Sequence, residues 1–474
     1  TTNISGIVNS YYKVVEVIPS KACLRVADVT GLPVNARVLI IQMKGATINT
    51  ANNSSFGDTS SLNDAGNYET ATICQIRDDS VFFFHTLLRS YDAAGKVQLV
   101  LFGEYYSANV TDTIKAARWD SAAGTGGVIA LFASQDITLN APIFADSSGF
   151  AGGISFTHSG TCNILQSAGT GYAYDATNYS TNLNGAYKGE GVSDIPASLD
   201  GAKGAPANGG GGGNNHNNSG GGGANLAAGG NGGGNSSSGP SGCNTANNWG
   251  RGGKALSSWG GQKIFMGGGG GAGHQNNGNA THNYGGNGGG IIFIWASNIN
   301  GNNKLISANG GTGGPSQSDG AGGGGGGGTI IMKVQNYTGS LQVQTLGGNG
   351  GLSDDGLNIG RCFGGGGGGA GGIIYFTGGV PGISFSPAGG TKGDEISREA
   401  TCNAAVPGTD GNNGSIVTGY TISASTTPAG YCQQLLLPIE LISFTAEYYN
   451  NRVQLVWKMA APETADHFNL QKKT

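Results

Sequence analysis

Runs of unbroken glycine constrain this chain more than any other feature. Gly322 to Gly328 is a stretch of seven, and shorter runs recur at Gly209 to Gly213, Gly220 to Gly223 and Gly267 to Gly271. Glycine loses more backbone freedom on folding than any other residue and is costly inside an α-helix. Such runs leave three options: flexible linkers, phosphate-cradling loops, or extended helices packed at backbone contact distance. In the last, N–H and C=O groups bond between helices rather than within them, so every buried backbone group finds a partner.

The linker option is weakened by the length of the Gly-rich region, more than a hundred residues between copies of one repeat. The phosphate option lacks its motif. Gly250-Arg251-Gly252-Gly253-Lys254 runs into Ala255-Leu256, with neither the spacing nor the hydroxyl of a phosphate loop. Packed polyglycine helices are the preferred expectation.

Composition separates this chain from other Gly-rich classes. It has 93 Gly and only 13 Pro in 474 residues, with no strict Gly-X-Y period, which excludes collagen. Hydrophobic residues make up 37% and cluster between the Gly runs, and the net charge is only −4, which argues against wholesale disorder. Charged residues are 11%, no basic patch occurs, and nucleic acid is not an expected partner. No apolar run approaches the length of a transmembrane segment. The sequence opens at Thr1 without Met, which is expected of a mature exported chain whose leader has been removed.

The expected fold is mainly β, in three parts. Residues 1–122 form an N-terminal β domain, with strands expected at Val14 to Ile18, Val34 to Met43, Tyr68 to Ile76, Ser80 to Leu88 and Lys96 to Phe102. Residues 123–432 form a Gly-rich body with a repeat: Gly run, apolar strand, short turn, second strand, Gly run. Its apolar strands begin at Val128, Ile291, Thr329 and Ile373, and the last three copies start about 40 residues apart, a period typical of stacked solenoids. A Gly-rich insertion, about 151–287, separates the first two copies, with Trp249, Trp259 and Ile264-Phe265-Met266 as rare anchors. Residues 433–474 form a third part.

Seven cysteines are spread along the chain, none in a CxxC pair. The pattern suits disulfides in an oxidising compartment. Expected pairs are Cys23–Cys74, Cys162–Cys243 and Cys362–Cys402, leaving Cys432; Cys402–Cys432 is the alternative.

Two resemblances follow from these residues. The Gly tracts resemble polyglycine-helix bundle proteins, such as snow flea antifreeze protein and some phage tail-fibre adhesins. The C-terminal part carries Leu437, Pro438, Glu440, Leu441, Ser443, Phe444 and Ala446, then Val453, Leu455 and Trp457, then Glu463, His467 and Phe468. This pattern resembles the immunoglobulin-like module that precedes the sorting signal in Bacteroidota proteins exported by the type IX secretion system. It departs from that pattern at Ala460-Ala461-Pro462. The resemblance implies export to the cell surface, and an incomplete immunoglobulin-like β-sandwich at Thr474. Ser80, Thr113 and Ser121 sit in Asp-Ser/Thr-apolar tripeptides resembling the O-glycosylation acceptors of the same bacteria.

No chemistry is expected. HExxH and GxSxG are absent, and the six histidines lack metal-ligand spacing. Asp319, Asp354 and Asp355 are expected as solvated turn residues. No cofactor, metal or catalytic residue is assigned. The expected role is a non-enzymatic extracellular structural protein that self-assembles into a filament, fibre or sheath. The alternative is an adhesin that binds surface glycans. Assembly is expected through Thr1 to Ser10, by strand addition, and through an exposed face bearing Val453, Leu455 and Trp457.

Overall fold

The computed structural model describes residues 1–158, 170–177, 185–214, 216–234, 248–256, 262–276, 282–356, 363–396, 408–432, 441–449 and 452–459. Among them the protein is mainly β, and its only helical elements are three 3-10 turns of three residues each.

The N-terminal strands Tyr11–Ile18, Cys23–Val26, Ser80–Phe83, Tyr68–Arg77, Arg37–Gln42 and Val97–Leu101 pair in that order into a closed antiparallel barrel. Closure removes the free edges that an open sheet would expose. Val14, Leu24, Val38, Ile40, Ile73, Val81, Phe83 and Leu99 fill its interior. Residues alternate faces along each strand, so Leu39, Ile41 and Val100 point outward, into a second core shared with the Gly-rich body.

That second core rests on a large parallel sheet that curls into a half-barrel. One ladder stacks Val128–Leu139, Ile291–Asn300, Thr329–Thr338, Ile373–Phe376 and Ser415–Val417. Equivalent residues fall in columns: Ile129, Ile292, Ile330, Ile374 and Ile416 form one, and Ala130, Phe293, Ile331, Tyr375 and Val417 the next. The first column faces an inner core and the second faces the barrel. Burial on both faces explains why these segments read as continuous apolar runs without alternation. A second ladder stacks Ile143–Phe144, Lys304–Ser307, Leu341–Gln344 and Ser384–Ser386, and a third joins Ser316–Gln317, Ser353–Asp354 and Glu395–Ile396.

The Gly tracts bond sideways. In the tract 320–328, Gly322, Gly325 and Gly328 donate to Gly314, Gly311 and Ala308; Gly320, Gly323 and Gly326 donate to His274, Gly271 and Gly268; Gly324 and Gly327 donate to Gly367 and Ala370. Three other tracts donate to it in turn, through Gly220 and Gly223, Gly286 and Gly289, and Gly348 and Gly351. The partner changes with a period of three residues, and six tracts surround one. A Cβ on Gly323 would collide with Gly221, on Gly324 with Gly348 and on Gly325 with Asn287, so the packing distance itself demands glycine.

Two expectations are corrected. The segment Thr2–Gly6 is no free arm: it pairs with the chain's own Ala108–Lys115, with Ile4 against Val110 and buried. The apolar Ile4 anchors it to the inner core. The pair Cys23–Cys74 does not form; Cys74 bonds to Cys432, with their Cα atoms 6.2 Å apart, and Cys23 is a buried free thiol. The strand Ser80–Phe83 lies between the strands of Cys23 and Cys74, which puts them two strand spacings, about 9–10 Å, apart, beyond disulfide reach. Cys162, Cys243, Cys362 and Cys402 lie outside the described residues.

At the C-terminal end, Leu441–Tyr449 and Arg452–Met459 form an antiparallel hairpin, with Phe444 opposite Trp457 and Ala446 opposite Leu455. Val453 is exposed there.

Candidate functional site

Three places gather side chains that could act on another molecule. The first is a cleft on the outward side of the large ladder. Phe132, Trp295 and Lys333 hold the same register position on consecutive strands, so they form a column with steps of about 4.8 Å. Arg37, at the start of a barrel strand, lays its guanidinium 3.9 Å from the Phe132 ring centre and 4.5 Å from that of Trp295. Lys333 Nζ sits 3.4 Å over the Trp295 ring. Phe132 and Trp295 meet edge to face. The Arg37 Nε reaches Glu104 at 3.5 Å, while Nη1 is buried with no hydrogen-bond partner. Burial holds the Arg37 pKa below its ordinary value despite Glu104. Burial, and then Arg37, does the same to Lys333. Ser134, Ser297, Gln335 and Thr377 complete a cleft of about 300 Å³.

The second place is a polar joint under the barrel. Lys44, only 4% exposed, meets Glu190 at 2.7 Å and Asp194 at 2.8 Å. Burial opposes the Lys44 charge, and the two carboxylates outweigh it, so its pKa stands above the ordinary value. Glu190 also accepts from the Trp119 indole, the Ser121 hydroxyl and the Ala151 amide. These contacts tie Lys44, just past the end of the barrel strand Arg37–Gln42, to Trp119 and Ser121 and to Ala151 and Glu190 of the Gly-rich body, which makes this a structural joint.

The third is a buried histidine group. His158 and His274 stack with ring centres 4.9 Å apart, deep in the Gly-rich body. His274 Nδ1 accepts from the Asn217 amide, and His158 Nε2 donates to the Gly185 carbonyl. Burial holds both pKa values below the usual 6.5, His274 far below it, where His158 and His216 add repulsion. Among the described residues no cluster of His, Cys, Asp and Glu is arranged to hold a metal ion.

The sequence-derived candidates scatter. Ser80 and Thr113 are half-buried on strands, and Ser121 is exposed with its hydroxyl donating to Glu190. Val453 and Leu455 lie on the C-terminal hairpin. Asp319 and Asp355 are buried rather than solvated: Asp319 Oδ1 accepts from the Asn276 amide, and the Asp355 amide donates to Ile396. The turns they occupy are packed against neighbouring rungs, which removes them from water. Arg37, Phe132, Trp295 and Lys333 were not singled out. Their signal was present in part, since Phe132, Trp295 and Lys333 are each the fifth residue of a repeat strand.

No protein-family model matches this sequence, and no curated protein or solved structure is found to be similar to it. Among the described residues, no helix is long and apolar enough to cross a membrane.

Proposed function

We propose that this protein is a non-enzymatic extracellular structural subunit that self-assembles into a surface filament, fibre or sheath, built as a stacked solenoid-like repeat around polyglycine-II-type helices. The observation that carries the reading is the unequal ends of the stack. At one end the strands Gly103–Tyr105 and Ala108–Lys115 pair with the first rung and cover its edge. At the other, Ser415–Val417, Ser384–Ser386 and Glu395–Ile396 each end their ladder, and among the described residues nothing pairs with their outer edges. These open parallel edges, Ser384–Ser386 and Glu395–Ile396 on one rung and Ser415–Val417 on the next, are a template that further strands can extend. Beside them Leu226, Ile373, Tyr375, Val417 and Tyr420 line an apolar groove, which a second copy would cover.

The three-residue hydrogen-bond period of the tracts supports the polyglycine reading. The Cys74–Cys432 disulfide suits an oxidising compartment, and the C-terminal resemblance to type IX secretion modules suits export to the cell surface. The C-terminal hairpin is compatible with the start of an immunoglobulin-like sandwich.

Negative-stain microscopy and sedimentation of the purified protein test the assembly. Regular fibres are expected. The double variant Ser384→Lys/Ser415→Lys places charge on two exposed positions of the open edges and should abolish them. A wild-type protein that stays monomeric at high concentration, or a double variant that still polymerises, overturns the proposal. The second reading, an adhesin for surface glycans, is favoured by the Arg37–Lys333 cleft.

A further inference from the structure

The cleft at Arg37, Phe132, Trp295 and Lys333 brings two cations together without the counter-charge they need. Lys333 has no hydrogen-bond acceptor and no carboxylate partner among the described residues, and Glu104 engages only the Nε side of Arg37. The guanidinium sits against two aromatic rings that meet edge to face, which restricts the direction of its free Nη1 edge. A guanidinium edge restricted in this way beside a flexible ammonium suits an oxyanion, with paired hydrogen bonds to the first and a point charge from the second. A buried donor left unpaired costs free energy, and an incoming anion would recover it.

We propose that this cleft binds an acidic glycan, with a sugar carboxylate or sulfate bridging Arg37 Nη1 and Lys333 Nζ. The inference deepens the adhesin reading but stands whether or not the chain polymerises. The rim chooses the glycan over an acidic peptide. Gln335 and Thr377 offer an amide and a hydroxyl, and the Ser134 and Ser297 hydroxyls, which donate to the Tyr106 and Ser134 carbonyls, keep lone pairs that can accept from sugar hydroxyls. A peptide held by strand addition needs free backbone edges. Here Phe132 and Trp295 lie on strands paired on both sides, and Thr329–Thr338 pairs with the following strand through Thr329–Met332, so the Arg37, Phe132 and Trp295 part of the cleft offers a peptide no backbone edge. A cleft of about 300 Å³ is at the lower end of the range for ligand sites, roughly 300–1,000 Å³, which fits one terminal or branching acidic sugar.

The test is isothermal titration of the full chain with four probes: an oligogalacturonate, a sulfated heparin-derived tetrasaccharide, neutral cellotetraose and poly-glutamate. Binding of either acidic saccharide, weakened by added salt, is expected, with cellotetraose and poly-glutamate binding at least tenfold more weakly. The carboxylated and sulfated probes tell the two anion types apart. Lys333→Gln should weaken acidic-saccharide binding about tenfold, while its thermal midpoint stays at the wild-type value. Trp295→Ala should remove binding, and if that variant fails to fold, Lys333→Glu supplies the same readout by reversing the charge. Equal binding of cellotetraose, equal or tighter binding of poly-glutamate, no binding of either acidic saccharide, or a Lys333→Gln protein with unchanged affinity overturns the assignment.

Discussion

Replacing Gly323 with alanine tests the packing of the Gly tracts most directly. A Cβ there would lie 2.8 Å from the Gly222 nitrogen and closer still to the Gly221 carbonyl, where 3.4 Å begins ordinary contact. The obstruction is backbone on a neighbouring tract, so no side chain can swing away. The two tracts must part by more than half an ångström, which strains the bonds that join them, from Gly220 to Ala321 and from Gly223 to Gly324. Overpacking of this kind costs about 2 kcal/mol, and each weakened bond about 1 kcal/mol. Alanine returns about 0.7 kcal/mol by restricting the unfolded chain. A net loss of about 3 kcal/mol is expected, a large share of the 5–15 kcal/mol typical of folded proteins. Gly382 is the control: nothing lies within 4 Å of its added Cβ, and its φ is not in the left-handed range. There, alanine should leave stability unchanged or raise it by about 0.4–1 kcal/mol. Urea unfolding followed by tryptophan fluorescence reads both variants. If Gly323→Ala unfolds at the wild-type urea midpoint, the tracts are not packed at backbone contact distance.

Acid should destabilise the protein. His158 and His274 have folded pKa values below 6.5, so the unfolded chain binds protons that the folded chain refuses; their stabilisation is complete above about pH 6.5 and is lost as pH falls toward the folded pKa values, by about 1.4 kcal/mol per pH unit for each histidine. Thermal midpoints between pH 7.5 and 5 measure this, and His274→Gln should flatten the slope. Reducing the Cys74–Cys432 bond, which spans 358 residues, should cost up to about 5–6 kcal/mol in the chain-entropy model, seen as a lowered urea midpoint. Tyr68→Phe removes the 2.7 Å bond that joins the buried Tyr68 and Tyr420 hydroxyls and should cost about 1–2 kcal/mol by the same assay. Glycan at Ser80, Thr113 or Ser121 would add to the intact mass of protein from its native source; a mass equal to the bare chain dismisses all three.

The repeat strands were legible because their chemistry is local. Ile291 to Ala296 is apolar throughout and Ile330 to Met332 likewise, as strands covered on both faces must be, and Tyr68 to Ile76 carried the β-branched and aromatic residues of a barrel wall. Barrel closure was not legible, since it depends on Tyr11–Ile18 meeting Val97–Leu101 across some eighty residues. The tracts hid their register for a simpler reason: one glycine is identical to the next, so nothing in Gly322 to Gly328 says that Gly325 answers Gly311. The cysteine pairing failed on neighbourhood. Cys74 is nearer Cys23 in sequence, yet a strand separates them and the chain returns from residue 432 to supply the partner. The cleft was half-visible, because the ladder sets Phe132, Trp295 and Lys333 in a column, while Arg37 arrives from another part of the fold.

The sideways bonding of the tracts has a consequence for how the protein forms and how it opens. Tract 320–328 is held by segments ranging from about residue 218 to residue 370, and none of its bonds lies within the tract itself. No short stretch can form ahead of its neighbours, so the Gly-rich body should assemble late and as one unit, as expected of structures dominated by distant pairings. Amide hydrogen exchange should then invert the usual order. Segments without helix or strand commonly exchange first, but here Gly323 or Gly268 can release its proton only when many tracts come apart together, so these amides should be among the slowest in the molecule.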